Sequence, residues 1–283
     1  MKGMFLVLAV FCVLPLHAAS LRLECPEVIG IGQPFEVRVD ADEPMSAVQV
    51  EWASKAMEIP AHGAKTLTFL LGTDVLKSKP GTETLRVIKL GLNPLAVQSS
   101  VLIEKRDFPL QRLIVAEEMV TPPASVQERI NRENSEVRRI LGTVSPVKHL
   151  DLPLIRPVPG KITSVYGLTR YFNDQPRNPH RGVDLRAAMG DPVQAAAAGQ
   201  VVLAAEHYYA GRCVFIDHGL GVYTQYMHLD EILVREGDMV EAGDTIGRAG
   251  QTGRVTAPHL HFSLSILDFS VDPSPLFSQV WSH

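Results

Sequence analysis

Residues 259–266 read His-Leu-His-Phe-Ser-Leu-Ser-Ile, and this alternation of polar and apolar side chains predicts a half-buried β-strand. Successive side chains of a strand point to opposite faces, so His259 and His261 share one face, about 6.6 Å apart along the chain. Both imidazoles therefore enter one cleft. There, one can bind a metal ion while the other stands beside a reacting group.

The same two-residue alternation recurs along most of the chain, and Gly and Pro residues, which are typical of turns, separate the alternating runs. We predict an all-β protein with an N-terminal immunoglobulin-like β-sandwich at 20–118, a helical linker at 119–145 and a C-terminal antiparallel β-domain at 146–283. The runs that predict strands are Phe35–Val39, Val48–Trp52, Leu85–Ile88, Gly199–Ala205, Cys213–Asp217 and Val222–His228.

Between Pro122 and Leu141 the period becomes helical. One stripe of the helix is apolar, and charged residues cover the rest. Pro122-Pro123 stands where a helix tolerates proline, and Gly142 follows as a C-terminal cap would. The pattern predicts one helix that packs by its stripe and connects the two β-domains. The stripe consists of Val126, Ile130, Val137, Ile140 and Leu141.

Residues 1–19 are typical of a secretory signal peptide. Lys2 is followed by an apolar run from Phe5 to Leu16 and then by small residues suited to cleavage. The run is too short to span a bilayer, so we expect no stable membrane insertion after signal removal; an uncleaved anchor is the alternative. The protein is expected in the periplasm or cell envelope, with secretion as the alternative.

Removal of the signal leaves Cys25 and Cys213, which lack metal-ligand spacing and are expected to be free or buried.

The chain length fits two folded domains. The chain has 283 residues, which is enough for two domains of ordinary size. The net charge of −4 gives no bulk attraction to nucleic acid, so we predict no nucleic-acid partner.

A second cluster, His180-Arg181-Gly182-Val183-Asp184, lies upstream. Pro179 and Gly182 disfavour a helix, so the usable geometry is a loop at His180 that leads into a strand at Asp184, with Gly182 permitting the bend. These two residues and His261 give a His-Asp-His set with one open position for water, which is the pattern of a catalytic zinc site. Imidazole plus carboxylate also suits zinc better than calcium.

His228 supplies a third imidazole. If its strand neighbours the one with His261, it enters the same cleft. A single histidine on a strand is more often a satisfied polar residue than a ligand, and an isolated His-x-His is a weak pattern. The combination in one domain favours a metal enzyme. The alternation predicts that His228 shares a face with Val222, Thr224 and Tyr226.

The ordered motifs between residues 158 and 276 resemble the lysostaphin-type zinc endopeptidases, also called the LytM family. The resemblance rests on His180–Leu185, Gly190–Val193, Ala196–Gly199, Val201–Val202, Ile216–Gly219, Tyr223–Leu229, Gly237–Val240, Gly243–Gly247, Gly250–Gly253 and Pro258–Phe262. It implies a compact antiparallel β-domain with a groove. It also implies cleavage of peptide bonds in the stem or cross-link peptides of peptidoglycan.

The resemblance assigns His180, Asp184 and His261 as zinc ligands and matches His228 and His259 to the two non-ligand histidines of the active site. Two positions depart from the family. Ala257 replaces a usual glycine, and Ser263 stands where an acidic residue is common. Neither position is a ligand, so effects on groove shape or on charge near the ligands are expected.

The resulting hypothesis is an exported zinc metallopeptidase that remodels the cell wall. The alternative is a non-cleaving, peptidoglycan-binding activator of cell-wall amidases, which retention of all five site residues disfavours. The N-terminal domain could inhibit, position the enzyme or bind an envelope protein partner. Tyr166 and Asn173 are further expected to line the groove.

Overall fold

The computed structural model describes residues 20–114 and 122–278. The predicted signal peptide at 1–19 and the first three residues of the predicted linker, 119–121, lie outside the described residues. Within the described ranges the chain is mostly β-sheet with one long helix, as the sequence predicts.

The N-terminal part consists of two sheets. A three-stranded sheet has the order β1-β3-β6, and a five-stranded sheet has the order β2-β8-β7-β4-β5. Their apolar faces share one core, where the rings of Phe35 and Trp52 meet with centroids 5.3 Å apart. The immunoglobulin-like arrangement stays a prediction. The strands are β1 (Leu21–Glu24), β2 (Val28–Gly30), β3 (Pro34–Ala41), β4 (Ala47–Trp52), β5 (Lys55–Pro60), β6 (Thr66–Gly72), β7 (Gly81–Lys89) and β8 (Leu95–Glu104).

The predicted helix is present as α1 (Ala124–Leu141) and begins two residues after Pro122. Its stripe is docked as expected, because Ile140 and Leu141 pack against the C-terminal sheet. Gly142 follows the helix with a φ of −84°, so it does not need the left-handed freedom of glycine. In the described part of the chain, no helix combines the length and apolar character needed to cross a membrane.

The C-terminal part is built on a ten-stranded sheet whose strands pair antiparallel, as predicted. Its main path runs β10-β13-β20-β17-β16-β15-β18, with β14, β19 and β21 alongside. A 3-10 turn spans Ser274–Leu276. The strands are β10 (Ile162–Ser164), β13 (Val183–Leu185), β14 (Pro192–Gln194), β15 (Gly199–His207), β16 (Gly211–Asp217), β17 (Val222–Ile232), β18 (Met239–Val240), β19 (Thr245–Ala249), β20 (Leu260–Ile266) and β21 (Phe269–Val271).

A small third sheet joins the two parts. Strand β9 (Leu110–Leu113), which follows the N-terminal sheets, pairs in parallel with β11 (Thr169–Phe172), and β11 pairs with β12 (Gln175–Pro176). The segment that connects the two parts therefore also forms main-chain hydrogen bonds with the C-terminal part.

Cys25 and Cys213 are free thiols, and burial raises the pKa of Cys213 to about 12, which keeps it protonated.

Candidate metal centre and active site

Two neighbouring strands hold the centre of the site. In the antiparallel pair of β13 and β20, Asp184 lies directly opposite His261. Directly paired residues project from the same face of a sheet, so the carboxylate and the imidazole meet. Asp184 Oδ1 lies 2.9 Å from His261 Nδ1.

The loop before β13 adds His180. Its backbone is fixed on both sides, because His180 N–H donates to Leu168 O and Gly167 N–H donates to His180 O. Gly182 lies at a bend, as predicted, and its lack of a side chain also permits a close approach. A Cβ at this position would lie 2.4 Å from Phe262 O and 2.5 Å from Ser263 Oγ. The glycine thus lets the His180 loop lie flat against β20.

Three acceptor atoms converge in the resulting pocket. His180 Nε2 lies 2.9 Å from His261 Nδ1 and 3.0 Å from Asp184 Oδ1, and His261 Nδ1 closes the triangle. Because His261 lies 81 and 77 positions along the chain from His180 and Asp184, the triangle is a product of the tertiary fold. His180 and Asp184 are buried and His261 is nearly so.

The hydrogen bonds around the triangle set its lone pairs. A carbonyl oxygen can only accept, so the 2.9 Å contact of His180 Nδ1 with Val165 O places the proton on Nδ1 and leaves a lone pair on Nε2. On the opposite side, His261 Nε2 lies 2.8 Å from Ser263 Oγ. The hydroxyl oxygen can accept a hydrogen bond from Nε2–H, and His261 Nδ1 then carries a lone pair. Two imidazole lone pairs and a carboxylate oxygen face one another, an arrangement that repels unless a cation lies between them.

The chemistry of the donors fits zinc. Tetrahedral zinc with bonds of about 2.0 Å to 2.1 Å has ligand atoms roughly 3.3 Å apart. The observed separations of 2.9 to 3.0 Å therefore need only a small expansion. Two neutral imidazoles with one carboxylate, each carrying its own outer hydrogen bond, are the ligands of catalytic zinc sites.

The charge states also suit a cation. Burial lowers the pKa of His261 to about 4, which leaves the imidazole neutral near pH 7. The guanidinium of Arg170, which donates to the other carboxylate oxygen of Asp184, favours the ionised form of this side chain. The pocket thus combines the Asp184 carboxylate with the neutral imidazole of His261.

His228 reaches the same cleft by a route that the sequence did not predict. In the pairing of β17 with β20, Tyr226 lies opposite Phe262 and Met227 lies opposite His261. Unbroken alternation would point His228 to the side of Phe262, away from His261. The prediction that His228 shares one face with Val222, Thr224 and Tyr226 is therefore incompatible with its contact with His261.

A β-bulge resolves the conflict. The register of β16 against β17 shifts between Arg212 and Val214, and His228 adopts a φ of 66°, in the left-handed region. The bulge turns the His228 ring towards His261, with centroids 6.0 Å apart. His228 Nδ1 donates to Thr252 O at 2.9 Å, which leaves its Nε2 as an acceptor.

His259 completes the group. Its ring centroid lies 5.1 Å from that of His228, and its Nε2 lies 3.6 Å from Asp184 Oδ1. His259 Nδ1 donates to Ala257 O at 2.8 Å, so Nε2 is again the free lone pair. Burial, followed by the neighbouring His261 and His259, lowers the pKa of His228 to about 3. The structure therefore brings all five predicted site residues together, three as a triangle and two beside it.

A sequence profile described as Peptidase family M23 matches residues 178–273, a range that contains all five site residues. The chain carries an M23 peptidase domain. The profile match begins two residues before His180 and extends past β21, so it covers most of the ten-stranded sheet.

Curated relatives share this M23 domain. The peptidoglycan DD-endopeptidase ShyA of Vibrio cholerae is 47% identical over 88 residues, which are 31% of this chain and 20% of ShyA. Lysostaphin of Staphylococcus simulans is 42% identical over 102 residues, which are 34% of this chain and 21% of lysostaphin. The chain thus spans about a fifth of the length of these relatives.

One solved structure resembles both parts of the chain. It is that of a protein from Pseudomonas aeruginosa assigned to peptidase M23, with 28% sequence identity and a TM-score of 0.66. The likeness covers 85% of this chain and 92% of that protein. It therefore extends well beyond the M23 domain into the N-terminal sheets.

Arg170 is a site residue that the sequence analysis missed. It lies on β11, and its Nη2 donates to Asp184 Oδ2 at 2.7 Å. This contact occupies the outer carboxylate oxygen and leaves Oδ1 in the triangle. No spacing rule links a residue of a short edge hairpin to Asp184, so the sequence carried no signal for it.

Two further residues were expected to line the groove. For Tyr166 the expectation is wrong, because its side chain is buried between the N-terminal sheets and the M23 domain, where its hydroxyl donates to Ser270 O at 2.6 Å. Asn173 lies in the turn between β11 and β12 with a φ of 49°. Its place in the groove stays a prediction.

Ser263 gives a first prediction. It takes the position where an acidic residue is common in the family, and its hydroxyl contacts the His261 nitrogen that faces away from the triangle. We expect Ser263→Ala to weaken zinc binding about tenfold, because outer partners of metal-binding histidines typically contribute 10–100-fold to affinity. The dissociation constant can be measured by competition with a chromogenic chelator.

Ser265 supplies the matched control. It lies two residues further along the same strand and is equally buried, but its Oγ has no hydrogen-bond partner in the described part of the chain. Ser265→Ala should leave the dissociation constant for zinc unchanged. Equal weakening in both variants would contradict a specific contribution of the Ser263 hydroxyl.

Proposed function

We propose that this protein is an exported zinc metallopeptidase that hydrolyses peptide bonds in the stem or cross-link peptides of peptidoglycan. The observation that carries the proposal is the triangle of His180, Asp184 and His261 with His228 and His259 beside it, inside an M23 domain. The substrate class is supported by relatives named as peptidoglycan DD-endopeptidases.

The metal is proposed to be zinc, held by His180 Nε2, Asp184 Oδ1 and His261 Nδ1. When bound, zinc supplies Lewis-acid chemistry that acidifies water and polarises a carbonyl. The hydrogen bonds of Val165 O and Ser263 Oγ orient the two imidazoles, and Arg170 holds the carboxylate. Because only three protein ligands would hold the zinc, a fourth position would be available to the reactants.

His228 and His259 are proposed to move protons. Both imidazoles present Nε2 as a lone pair because backbone carbonyls hold their Nδ1 protons. A neutral imidazole beside the metal pocket can accept a proton from the attacking water and return it to the leaving amine. Once protonated, it also stabilises the negative charge that develops on the carbonyl oxygen.

The location and the domain division belong to the same proposal. The apolar run Phe5–Leu16 supports a signal peptide at 1–19 and export to the periplasm or envelope. The remaining chain would divide into an accessory domain at 20–118, a helical linker at 119–145 and the metallopeptidase domain at 146–283. The accessory domain would be the part that meets an envelope protein partner.

The direct test is digestion of purified peptidoglycan by the mature chain. We expect release of soluble fragments with new free amino groups, loss of this activity on chelation, and its return with added zinc. Mass spectrometry of the fragments distinguishes cleavage between amino acids from cleavage at the sugar–peptide amide. A protein that binds zinc and wall material but releases nothing, on several wall types, would instead support the amidase-activator alternative.

A further inference from the structure

We propose that Asp74, a residue of the N-terminal sandwich, is a positioning residue for the loop that holds His180. The accessory domain would thereby support the metal site and not merely be attached to it. For the identity of the metal, this inference rests on the proposed function. It concerns a residue outside the M23 domain and more than a hundred positions from the ligand it would position.

Asp74 is a fully buried carboxylate with four donors. Its Oδ1 accepts the N–H groups of Leu76 at 2.7 Å and Lys77 at 3.2 Å, which closes its own turn after β6. Its Oδ2 accepts Ser270 N–H at 2.8 Å and the guanidinium of Arg181 at 3.2 Å. A buried carboxylate is stable only when such donors satisfy it. The Asp74 carboxylate therefore depends on donors from both the N-terminal and the C-terminal part of the chain.

The Asp74 contacts lead directly to the loop of His180. Arg181 follows His180 in the chain, and Ser270 Oγ donates to Arg181 O at 2.8 Å. Asp74 thus holds the Arg181 side chain and, through Ser270, its carbonyl. From the other side, the backbone of residues 167 and 168 holds His180. The orientation of the His180 ring depends on the loop being fixed at both of these sides.

Three other ion pairs between the two parts do not touch a ligand residue. Lys55 and Lys77 pair with Asp268, and Arg106 pairs with Asp272. These pairs lie beyond the ends of β21 and touch neither His180 nor Arg181. They hold the two parts together, and they offer a control for the general effect of weakening the interface.

The test is Asp74→Asn in the full mature chain. An amide keeps the size of the side chain but removes the charge that pairs with Arg181. It also replaces one acceptor oxygen by a donor, which faces either the Arg181 and Ser270 donors or the N–H groups of Leu76 and Lys77. We expect about tenfold weaker zinc binding by chelator competition, the lower end of what partners outside the ligand set contribute. We also expect a reduced kcat at nearly constant KM. A purely structural role would lower Tm and leave the zinc constant of the folded protein unchanged.

Two further variants keep the test decisive. Arg181→Met removes the other partner, and since its side chain is 40% exposed, this variant should fold even if Asp74→Asn does not. It should weaken zinc binding to a similar extent, while Arg181→Lys should restore part of the affinity. Arg106→Met, which breaks an interface pair that touches neither His180 nor Arg181, should lower Tm without changing the dissociation constant for zinc.

The outcomes separate the inference from the proposed function. Zinc constants of Asp74→Asn and Arg181→Met equal to that of Arg106→Met would overturn the inference. A wild-type protein that binds zinc but digests no peptidoglycan would contradict the proposed function. The dissociation constants of the variants for zinc would still decide the role of Asp74. A wild-type protein that binds no zinc would overturn both.

Discussion

We expect His261→Ala to bind no zinc at micromolar concentrations and to digest peptidoglycan more than about a hundredfold more slowly than wild type. The change removes one corner of the triangle and leaves His180 Nε2 and Asp184 Oδ1, which lie 3.0 Å apart, as the remaining pair. Loss of a ligand should exceed the 10–100-fold effects of outer partners. Zinc content by atomic emission and the rate of fragment release measure the two effects.

Thermal unfolding gives an independent measurement for the same variant. A ligand that binds only the folded state stabilises it by about 2.7 kcal/mol at a free concentration one hundred times its Kd. Added zinc should therefore raise the Tm of the wild type and leave that of His261→Ala unchanged. His62→Asn is the control, because His62 is exposed in an N-terminal turn with a φ of 48° that asparagine tolerates. A zinc-dependent Tm in His261→Ala would remove His261 from the ligand set.

The sequence predicted this corner of the site because it depends on local periodicity. Alternation along β20 is enough to place His259 and His261 on one face. The partner strand could not be predicted in the same way. Asp184 meets His261 because β13 pairs with β20 across 77 positions of the chain, and no local pattern records such a pairing. Spacing suggested the His-Asp-His set as a hypothesis, and the resemblance to a known family assigned its three members as ligands.

The residues that the sequence analysis missed act through tertiary contacts. Arg170 and Asp74 are ordinary charged residues in short or irregular segments, and their roles arise only when separate segments fold together. The misplacement of Tyr166 has the same origin. A tyrosine near a predicted groove can face the groove or a neighbouring domain, and here the N-terminal sheets bury it. Periodicity predicts faces of elements well and contacts between domains poorly.

His228 shows how a local irregularity can carry function. A non-glycine residue with a φ of 66° is uncommon in a strand and is maintained by its surroundings, here by the bonds of His228 N–H to Ala210 O and of Nδ1 to Thr252 O. Without the bulge, the imidazole would point to the opposite face of the sheet. The strain at this position is therefore tied to delivery of the imidazole to the metal pocket.

The second large prediction follows from this geometry. His228→Asn should retain zinc and lose about 10²- to 10⁴-fold in kcat, the usual contribution of a positioned acid or base. Asparagine is preferred to alanine because it adopts the left-handed conformation more readily, so the bulge should persist. Zinc content and the zinc constant should match the wild type, since His228 is not a corner of the triangle.

His207→Asn is the matched control for His228→Asn. The two histidines are about equally buried, at 7% and 8% exposure, but His207 contacts Glu136 of α1 and lies away from the triangle. Its replacement should lower Tm by loosening the helix and leave kcat unchanged. If His228→Asn loses zinc, His228 belongs to the metal site itself. If it retains both zinc and full kcat, proton transfer at this centre depends on His259 or on water, and the bulge has a structural role only.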